Sequence, residues 1–221
     1  MYNIFKMFKN IFKKDELIIE EYQPIMPEDL NIIQPNIILE DLIFCPPEKE
    51  GKPYILIMDD FEGMVQLVKD ELQRVQCCNI REDYNIILSM GQYAAFKVER
   101  FLKEPNRTID IAILDITLGG VIDGVEYDGV DIAIMLKTHN PNCVIKFLTG
   151  HALNKHNPEI FKFIEKFENF FKVPMTETKY ITFKEKKIEM YKHIINKNGN
   201  RVAAMGDLLQ EYVDLQKAPK D

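Results

Sequence analysis

The chain has 221 residues, of which 46% are apolar and 29% charged, a balance typical of a soluble globular protein. Its net charge of −7 argues against general nucleic-acid binding, which requires a basic face for the phosphate groups. Its four cysteines have no metal-ligand spacing, and no apolar run approaches the ~18 residues of a membrane span. We therefore expect a cytoplasmic protein with reduced thiols.

The first 14 residues predict a basic amphipathic helix. Residues 1–14 carry four lysines and no acid, and their apolar residues share one arc of a helical wheel. Two roles stay open for this helix: docking on protein, or reversible contact with an anionic membrane surface, which would make the protein membrane-peripheral. Residues 15–51 contain ten acids, one lysine and five prolines, and they predict an irregular acidic connector.

From residue 52 onward, short apolar runs alternate with helical spacing of apolar residues. The runs predict five strands, at 54–58, 85–89, 109–115, 144–149 and 168–172. The helical spacing predicts helices at 61–74, 93–103, 131–137, 158–165, 178–196 and 201–217. Strands that alternate with helices, and that are apolar on both faces, favour a parallel sheet covered on both sides.

Polar side chains follow four of the predicted strands. These residues are Asp59 and Asp60 after the first strand, Asp115 after the third, Thr149 after the fourth and Lys172 after the fifth. In an open α/β sheet, the ligand site lies at the carboxyl ends of the strands. Three converging carboxylates need a hard cation, for which Mg²⁺ is the natural candidate. A threonine and a lysine beside them would bind phosphoryl oxygens, and an aspartate can itself form an acyl phosphate.

Five segments resemble the receiver domain of two-component response regulators: MDDFEGMVQLVKDEL, LSMGQYAAF, IDIAILDITL, NPNCVIKFLTGH and FFKVP. The resemblance covers about residues 52–197. It implies a doubly wound, five-stranded parallel sheet, the flavodoxin-like receiver fold, with helical extensions at both termini. It also implies that Asp115 accepts a phosphoryl group from a histidine kinase or a phosphotransfer protein, and that Thr149 and Lys172 contact that group.

The same resemblance implies how the metal is held. Asp60 and Asp115 would bind Mg²⁺ directly, Asp59 would act through water, and the backbone carbonyl of Thr117 would be a further ligand. Two departures from the family pattern concern the switch. Val173 separates the expected lysine from the proline that usually follows it directly, and Asn169 stands where many members have Tyr or Phe.

The sequence therefore predicts four segments, at 1–14, 15–51, 52–197 and 198–221. The last contains an amphipathic helix that we expect to pack on the receiver or on a second copy of the chain, in a homodimer. Because no recognisable output domain follows, we expect a stand-alone receiver that signals to an output protein through protein contacts and is no enzyme beyond its own phosphorylation and dephosphorylation. A receiver-like scaffold with little phospho-regulation and a Mg²⁺-dependent phosphohydrolase remain as alternatives.

Overall fold

The structure, a computed structural model, describes residues 43–45, 48–76, 78–91, 94–118, 120–122, 125–150 and 158–218. The basic helix expected at 1–14 and most of the connector expected at 15–51 lie outside the described residues. Within those described ranges, no helix combines the length and the apolar character needed to cross a membrane.

Ten strands and six helices make up the described part of the chain. The strands are β1 (Ile43–Cys45), β2 (Tyr54–Asp59), β3 (Asn85–Met90), β4 (Ile111–Asp115), β5 (Gly120–Ile122), β6 (Val125–Tyr127), β7 (Val144–Thr149), β8 (Thr178–Phe183), β9 (Lys186–Tyr191) and β10 (Ile194–Asn196). The helices are α1 (Glu62–Leu72), α2 (Ile80–Asp83), α3 (Ala94–Leu102), α4 (Gly129–His139), α5 (Pro158–Phe171) and α6 (Arg201–Lys217).

The main sheet has six strands in the order β1-β3-β2-β4-β7-β10. Five of them, from β3 to β10, are parallel, and β1 pairs antiparallel with β3 at one edge. Numbered along the chain, the parallel strands run 2-1-3-4-5, which is the flavodoxin-like order of a doubly wound sheet. The expected fold class is confirmed. In this order the topological switch point lies between β2 and β4, where a ligand crevice is expected.

Both faces of the sheet are covered, which explains why its strands are apolar without alternation. On one face, α1 and α6 pack over Ile55, Ile57, Ile111 and Ile113, all at most 1% exposed. Helices α3 and α4 pack against β3 and β4 and contribute no residue to that cluster, so they cover the other face. The described part of the chain from β2 to α6 is therefore a three-layer α/β/α unit.

The strand expected at 168–172 is wrong, because α5 continues to Phe171. The buried residues of this helix include Ile160, Ile164 and Phe167. Their spacing of four and then three residues places them on one face of a helix. Phe167 packs edge-on against Phe147 and stacks on Phe171, with ring centroids 5.6 and 4.5 Å away. The aromatic run favours a strand by propensity, but tertiary packing of the helical stripe outweighs that preference.

The helix expected at 178–196 is also wrong, because this region forms the hairpin β8–β9 and then β10. A two-residue loop, Lys184 and Glu185, joins the hairpin strands, with φ angles of 48° and 65°. Positive φ at both positions is what a type I′ hairpin turn requires. Such turns usually contain Asn-Gly, so the sequence lacked the ordinary turn signal. The fifth parallel strand is β10.

The helix expected at 201–217 is confirmed at both ends. It packs on the main sheet, since Met205 and Leu208 are fully buried in the core cluster with α1. At its start, Arg201 forms a two-pronged ion pair with Glu71 of α1, at 2.5 and 2.6 Å. Its apolar face thus completes the three-layer unit.

Candidate functional site

The carboxyl ends of β2 and β4 bring together three aspartates. Asp59 ends β2, Asp60 follows it, and Asp115 ends the neighbouring strand β4. One carboxylate oxygen from each lies within 4.8 Å of the others. Asp59 and Asp115 are only 1% and 3% exposed, whereas Asp60 is exposed. The edge of the sheet therefore holds a buried acidic pair with a third carboxylate facing solvent.

The cation at this site is Lys197, which follows β10. Its ammonium nitrogen lies 3.0 Å from Asp59 Oδ2 and 3.1 Å from Asp115 Oδ1. Lys172 is instead exposed, directly after the end of α5, with a φ of 58°. Lys197 thus occupies the place that the sequence predicted for Lys172. The physical reason is that 168–172 is helical, so it cannot supply the end of the fifth strand.

The backbone of Lys197 is held on two sides. Its N–H donates to the carbonyl of Thr149 at 2.8 Å, because β10 pairs in parallel with β7. Its carbonyl accepts a hydrogen bond from Arg201, whose guanidinium also pairs with Glu71. Thr149 is 2% exposed, and it ends β7 at the same edge of the sheet. The structure therefore brings Thr149 to the site as the sequence predicted.

The electrostatics of the site leave an excess of negative charge. Burial, followed by repulsion from Asp59, raises the pKa of Asp115 to about 6, although Lys197 opposes this shift. Burial alone would lower the pKa of Lys197, but the nearby charges of Asp115 and Asp59 outweigh it, and the pKa is raised. Lys197 therefore stays an ammonium, and one positive charge faces three acidic side chains.

The donor set fits a hard divalent cation. Asp59 Oδ2 is buried, and the Lys197 ammonium lies 3.0 Å from it. Asp59 Oδ1 accepts from the N–H of Phe61 at 2.9 Å, which fixes the carboxylate. The Thr117 hydroxyl donates to Asp115 Oδ2 at 3.3 Å, so Thr117 lies at the same edge. An all-oxygen cluster in which three carboxylates face one ammonium suits Mg²⁺ better than a softer metal.

Comparison with solved structures finds receiver domains at low sequence identity. A CheY-like receiver domain protein from Methanospirillum hungatei JF-1 is 15% identical with a TM-score of 0.47, over 76% of this chain and 99% of that one. The signal receiver domain of an HD domain-containing protein from Pseudomonas fluorescens Pf-5 is 16% identical with a TM-score of 0.47, over 78% and 97%. The RcsB receiver domain from Salmonella enterica serovar Typhimurium, with phosphomimetic BeF3-, is 18% identical with a TM-score of 0.43, over 77% and 92%.

Neither protein-family models nor curated proteins give a match to this chain. The assignment of the fold therefore depends on the strand order of the main sheet and on the acidic cluster at the ends of β2 and β4. The chain has the receiver fold. These likenesses concern the fold alone, and the chemistry of the receiver is argued below from its own residues.

The backbone that directly follows Asp115 is hydrogen-bonded to the start of α4. Gly129 donates its N–H to the carbonyl of Ile116 at 3.0 Å, and a Cβ at Gly129 would overlap the backbone oxygen of Asp115. Asp128 caps α4 by accepting from two backbone N–H groups, and Lys166 of α5 pairs with it at 2.5 Å. Asp128 and Gly129 therefore support the backbone at Asp115.

With Lys197 as the lysine of the site, two neighbouring positions depart from the receiver family pattern. The residue three positions earlier is Ile194, which is buried, where many members carry Tyr or Phe. The residue directly after Lys197 is Asn198 rather than proline. In the sequence, the apolar pair Ile194 and Ile195 of β10 is the feature that could have pointed to Lys197. A strand of three residues is, however, too short to give a recognisable apolar pattern.

Proposed function

We propose that this receiver accepts a phosphoryl group on Asp115 from a histidine kinase or a phosphotransfer protein, and signals through protein contacts. The observation that supports this most strongly is the position of Lys197, 3.1 Å from Asp115 and 3.0 Å from Asp59. A buried carboxylate between other acids and a fixed ammonium is suited to receive an anionic group whose charge the ammonium can offset.

Asp115 would act as the nucleophile. One carboxylate oxygen attacks the phosphorus atom, the bond between phosphorus and the donor nitrogen breaks, and that nitrogen keeps the electron pair. With a pKa of about 6, Asp115 is mostly ionised at neutral pH, so no base has to remove a proton from it. Lys197 and Thr149 would donate hydrogen bonds to the new phosphoryl oxygens, which fixes their orientation.

Asp59, Asp60, Asp115 and the backbone carbonyl of Thr117 would hold Mg²⁺. When bound, the ion supplies the positive charge that the excess of carboxylates lacks and offsets the charge of the transferring phosphoryl group. Asp59 is positioned for this role because its second oxygen is fixed by the N–H of Phe61.

The switch would act through Lys197 rather than through an aromatic side chain. Moving a two-state equilibrium from 1:99 to 99:1 needs about 5.5 kcal/mol, and charge-assisted hydrogen bonds contribute about 1.5–3 kcal/mol each. Two such bonds to a phosphoryl group, one from Lys197 and one from Thr149, would together supply a free energy close to the amount that the shift needs. Because Lys197 is joined by its backbone to Thr149 and Arg201, its movement would be transmitted to β7 and α6.

We also propose that the receiver acts on no substrate other than its own acyl phosphate. A phosphohydrolase needs a general acid close to its nucleophile, and the residue two positions after Asp115 is Thr117, which has no acidic proton. A receiver-like scaffold with little phospho-regulation is the second candidate. It is favoured by Lys197, which already forms ion pairs with both Asp59 and Asp115.

Incubation with acetyl phosphate and Mg²⁺, followed by intact-mass measurement, tests the proposal. We expect one phosphoryl adduct on the wild type, none on Asp115→Asn, and an unchanged adduct on the control Asp70→Asn, which changes an exposed acid on α1 away from the site. An equal adduct on Asp115→Asn would refute the assignment. No adduct on the wild type, with or without Mg²⁺, would favour the scaffold.

A second pair of variants separates the two lysines. Lys197→Ala should slow adduct formation strongly, because it removes the ammonium beside Asp115. Lys172→Ala should not change the rate, because Lys172 is exposed beyond the end of α5. The same time course on both variants measures this directly, and equal rates would contradict the role given to Lys197.

A further inference from the structure

The hairpin β8–β9 is an insertion between α5 and the fifth parallel strand. Within the described chain, each of its strands pairs only with the other. Its inner face is anchored to α6, where Lys179 pairs with Asp207 at 2.6 Å and Met190 packs on the core cluster. Its outer face, which includes Thr178, Tyr180 and Thr182, is exposed. An isolated two-stranded hairpin is marginally stable, so this anchoring is what holds it.

Three exposed lysines, Lys184, Lys186 and Lys187, lie at the loop end of this hairpin. None of them has a carboxylate within 4.0 Å among the residues that the structure describes. The two lysines at the base, Lys179 and Lys192, do have acidic partners, at 2.6 and 3.2 Å. The loop end thus presents three lysines that form no ion pair with the described residues, on a chain whose net charge is −7.

An exposed aromatic side chain lies beside this patch. Tyr180 is 59% exposed, and the ammonium of Lys187 lies 4.2 Å from its ring centroid. Lys184 lies similarly over Phe183, at 5.4 Å. These cation–π contacts hold two ammonium groups close to the aromatic surface. Tyrosine is one of the residue types that dominate the binding energy of protein interfaces.

We propose that the exposed loop end of the hairpin, with Tyr180, Thr182 and Lys187 on its outer face and Lys184 and Lys186 around the turn, is a docking surface for an acidic segment of a partner protein. The carboxylates of that segment would pair with the three lysines, and an apolar side chain would pack on Tyr180. Charge complementarity of this kind speeds encounter and selects the partner.

A protein segment fits this surface better than a nucleic acid or a lipid bilayer does. Two acids, Glu185 and Glu189, are interspersed among the lysines, and Glu189 lies directly across the ladder from Tyr180. A uniform polyanion would place phosphates against these acids. A protein segment can place its carboxylates only where the lysines are.

The hairpin is also joined closely to the candidate site. Only Lys192 and His193 separate β9 from β10, and Lys197 directly follows β10. The carbonyl of Lys192 accepts from the buried Lys146 of β7 at 2.6 Å, which fixes the base of the hairpin to the sheet. Coupling between partner binding and the state of Asp115 rests on the proposed function, whereas the docking surface itself does not.

Fluorescence anisotropy of a labelled acidic peptide, EEFEEFEE, with the full-length unphosphorylated chain tests the surface. Lys184→Glu/Lys186→Glu/Lys187→Glu should weaken binding at least about tenfold, because three attractive pairs become repulsive. The matched control is Lys162→Glu/Lys172→Glu/Lys217→Glu, which makes the same charge change at exposed lysines and should alter binding less than about twofold. In the control, Lys162 lies over Phe163 much as Lys184 lies over Phe183.

Two outcomes would overturn the inference. Equal losses in both triple variants would mean that the peptide responds only to net charge. Tighter binding of a single-stranded oligonucleotide or of phosphatidylserine vesicles than of the peptide, lost in the hairpin variant, would assign the surface to another class of partner. Circular dichroism checks folding, and the single change Lys187→Glu, with an expected loss of about threefold, replaces the triple variant if that does not fold. Because Asp115 is unphosphorylated throughout, failure here leaves the proposed function untouched.

Discussion

Replacing the charge of Asp115 should stabilise the metal-free receiver. Burial and repulsion from Asp59 raise the pKa of Asp115 from 3.8 to about 6. That difference corresponds to about 3 kcal/mol by which the folded state disfavours the ionised carboxylate at neutral pH. Asp115→Asn removes the charge and keeps the shape, so it should raise the free energy of unfolding by up to about 3 kcal/mol, a figure that already includes the opposing attraction of Lys197.

The gain should depend on pH in a defined direction. Above about pH 6, Asp115 is ionised in both states and the folded state bears the full cost. As the pH falls from 6 towards 3.8, the folded state takes up a proton first, so the cost disappears. The difference between variant and wild type should therefore be largest at pH 7.5 and close to zero near pH 4.

Urea unfolding in EDTA, repeated at several pH values, measures this difference. The control is Asp70→Asn, at an exposed acid on α1, which should change stability by less than about 0.5 kcal/mol at every pH. A variant Asp115→Asn that is less stable than the wild type at pH 7.5, or a difference that does not depend on pH, would refute the electrostatic reasoning.

Three further changes test separate parts of the account. Asp60→Ala should weaken Mg²⁺ binding severely in a titration while leaving the melting temperature without metal equal or higher, because it relieves carboxylate repulsion; unchanged Mg²⁺ affinity would exclude Asp60 as a ligand. Gly129→Ala should cost about 1–3 kcal/mol in urea unfolding and slow phosphorylation, since the new Cβ would overlap the backbone oxygen of Asp115; a neutral effect would mean that this contact is loose. Lys184→Asn/Glu185→Gly should raise stability by about 1–2 kcal/mol, because both positions have positive φ; destabilisation on urea unfolding would contradict the turn assignment.

The first four parallel strands and the acidic cluster could be predicted from sequence for a simple physical reason. Strands buried on both faces read as continuous apolar runs, and three of these four runs stop at a polar residue that lies at the same edge of the sheet. Asp59 and Asp115 therefore stand out in the amino-acid sequence itself, and so does Thr149. The spatial order of the strands followed from the resemblance to receivers.

The fifth strand and its lysine could not be predicted in the same way. With three residues, β10 is too short for an apolar pattern, and the inserted hairpin moves it far from where a receiver usually places it. The hairpin turn at Lys184 and Glu185 contains neither Gly nor Asn, so nothing marked the end of a strand there. The phenylalanines at the end of α5 then drew the assignment to Lys172, since aromatic runs are common in strands.

The central claim is that Asp115 carries the phosphoryl group, and reductive mapping tests it most directly. Borohydride reduces an acyl phosphate to an alcohol, so a phosphorylated aspartate becomes homoserine, which peptide mass spectrometry can locate. After treatment with acetyl phosphate and Mg²⁺, the account predicts homoserine at position 115, and much less of it in Lys197→Ala. Homoserine at Asp59, Asp60 or Asp128 with none at Asp115 would contradict the account.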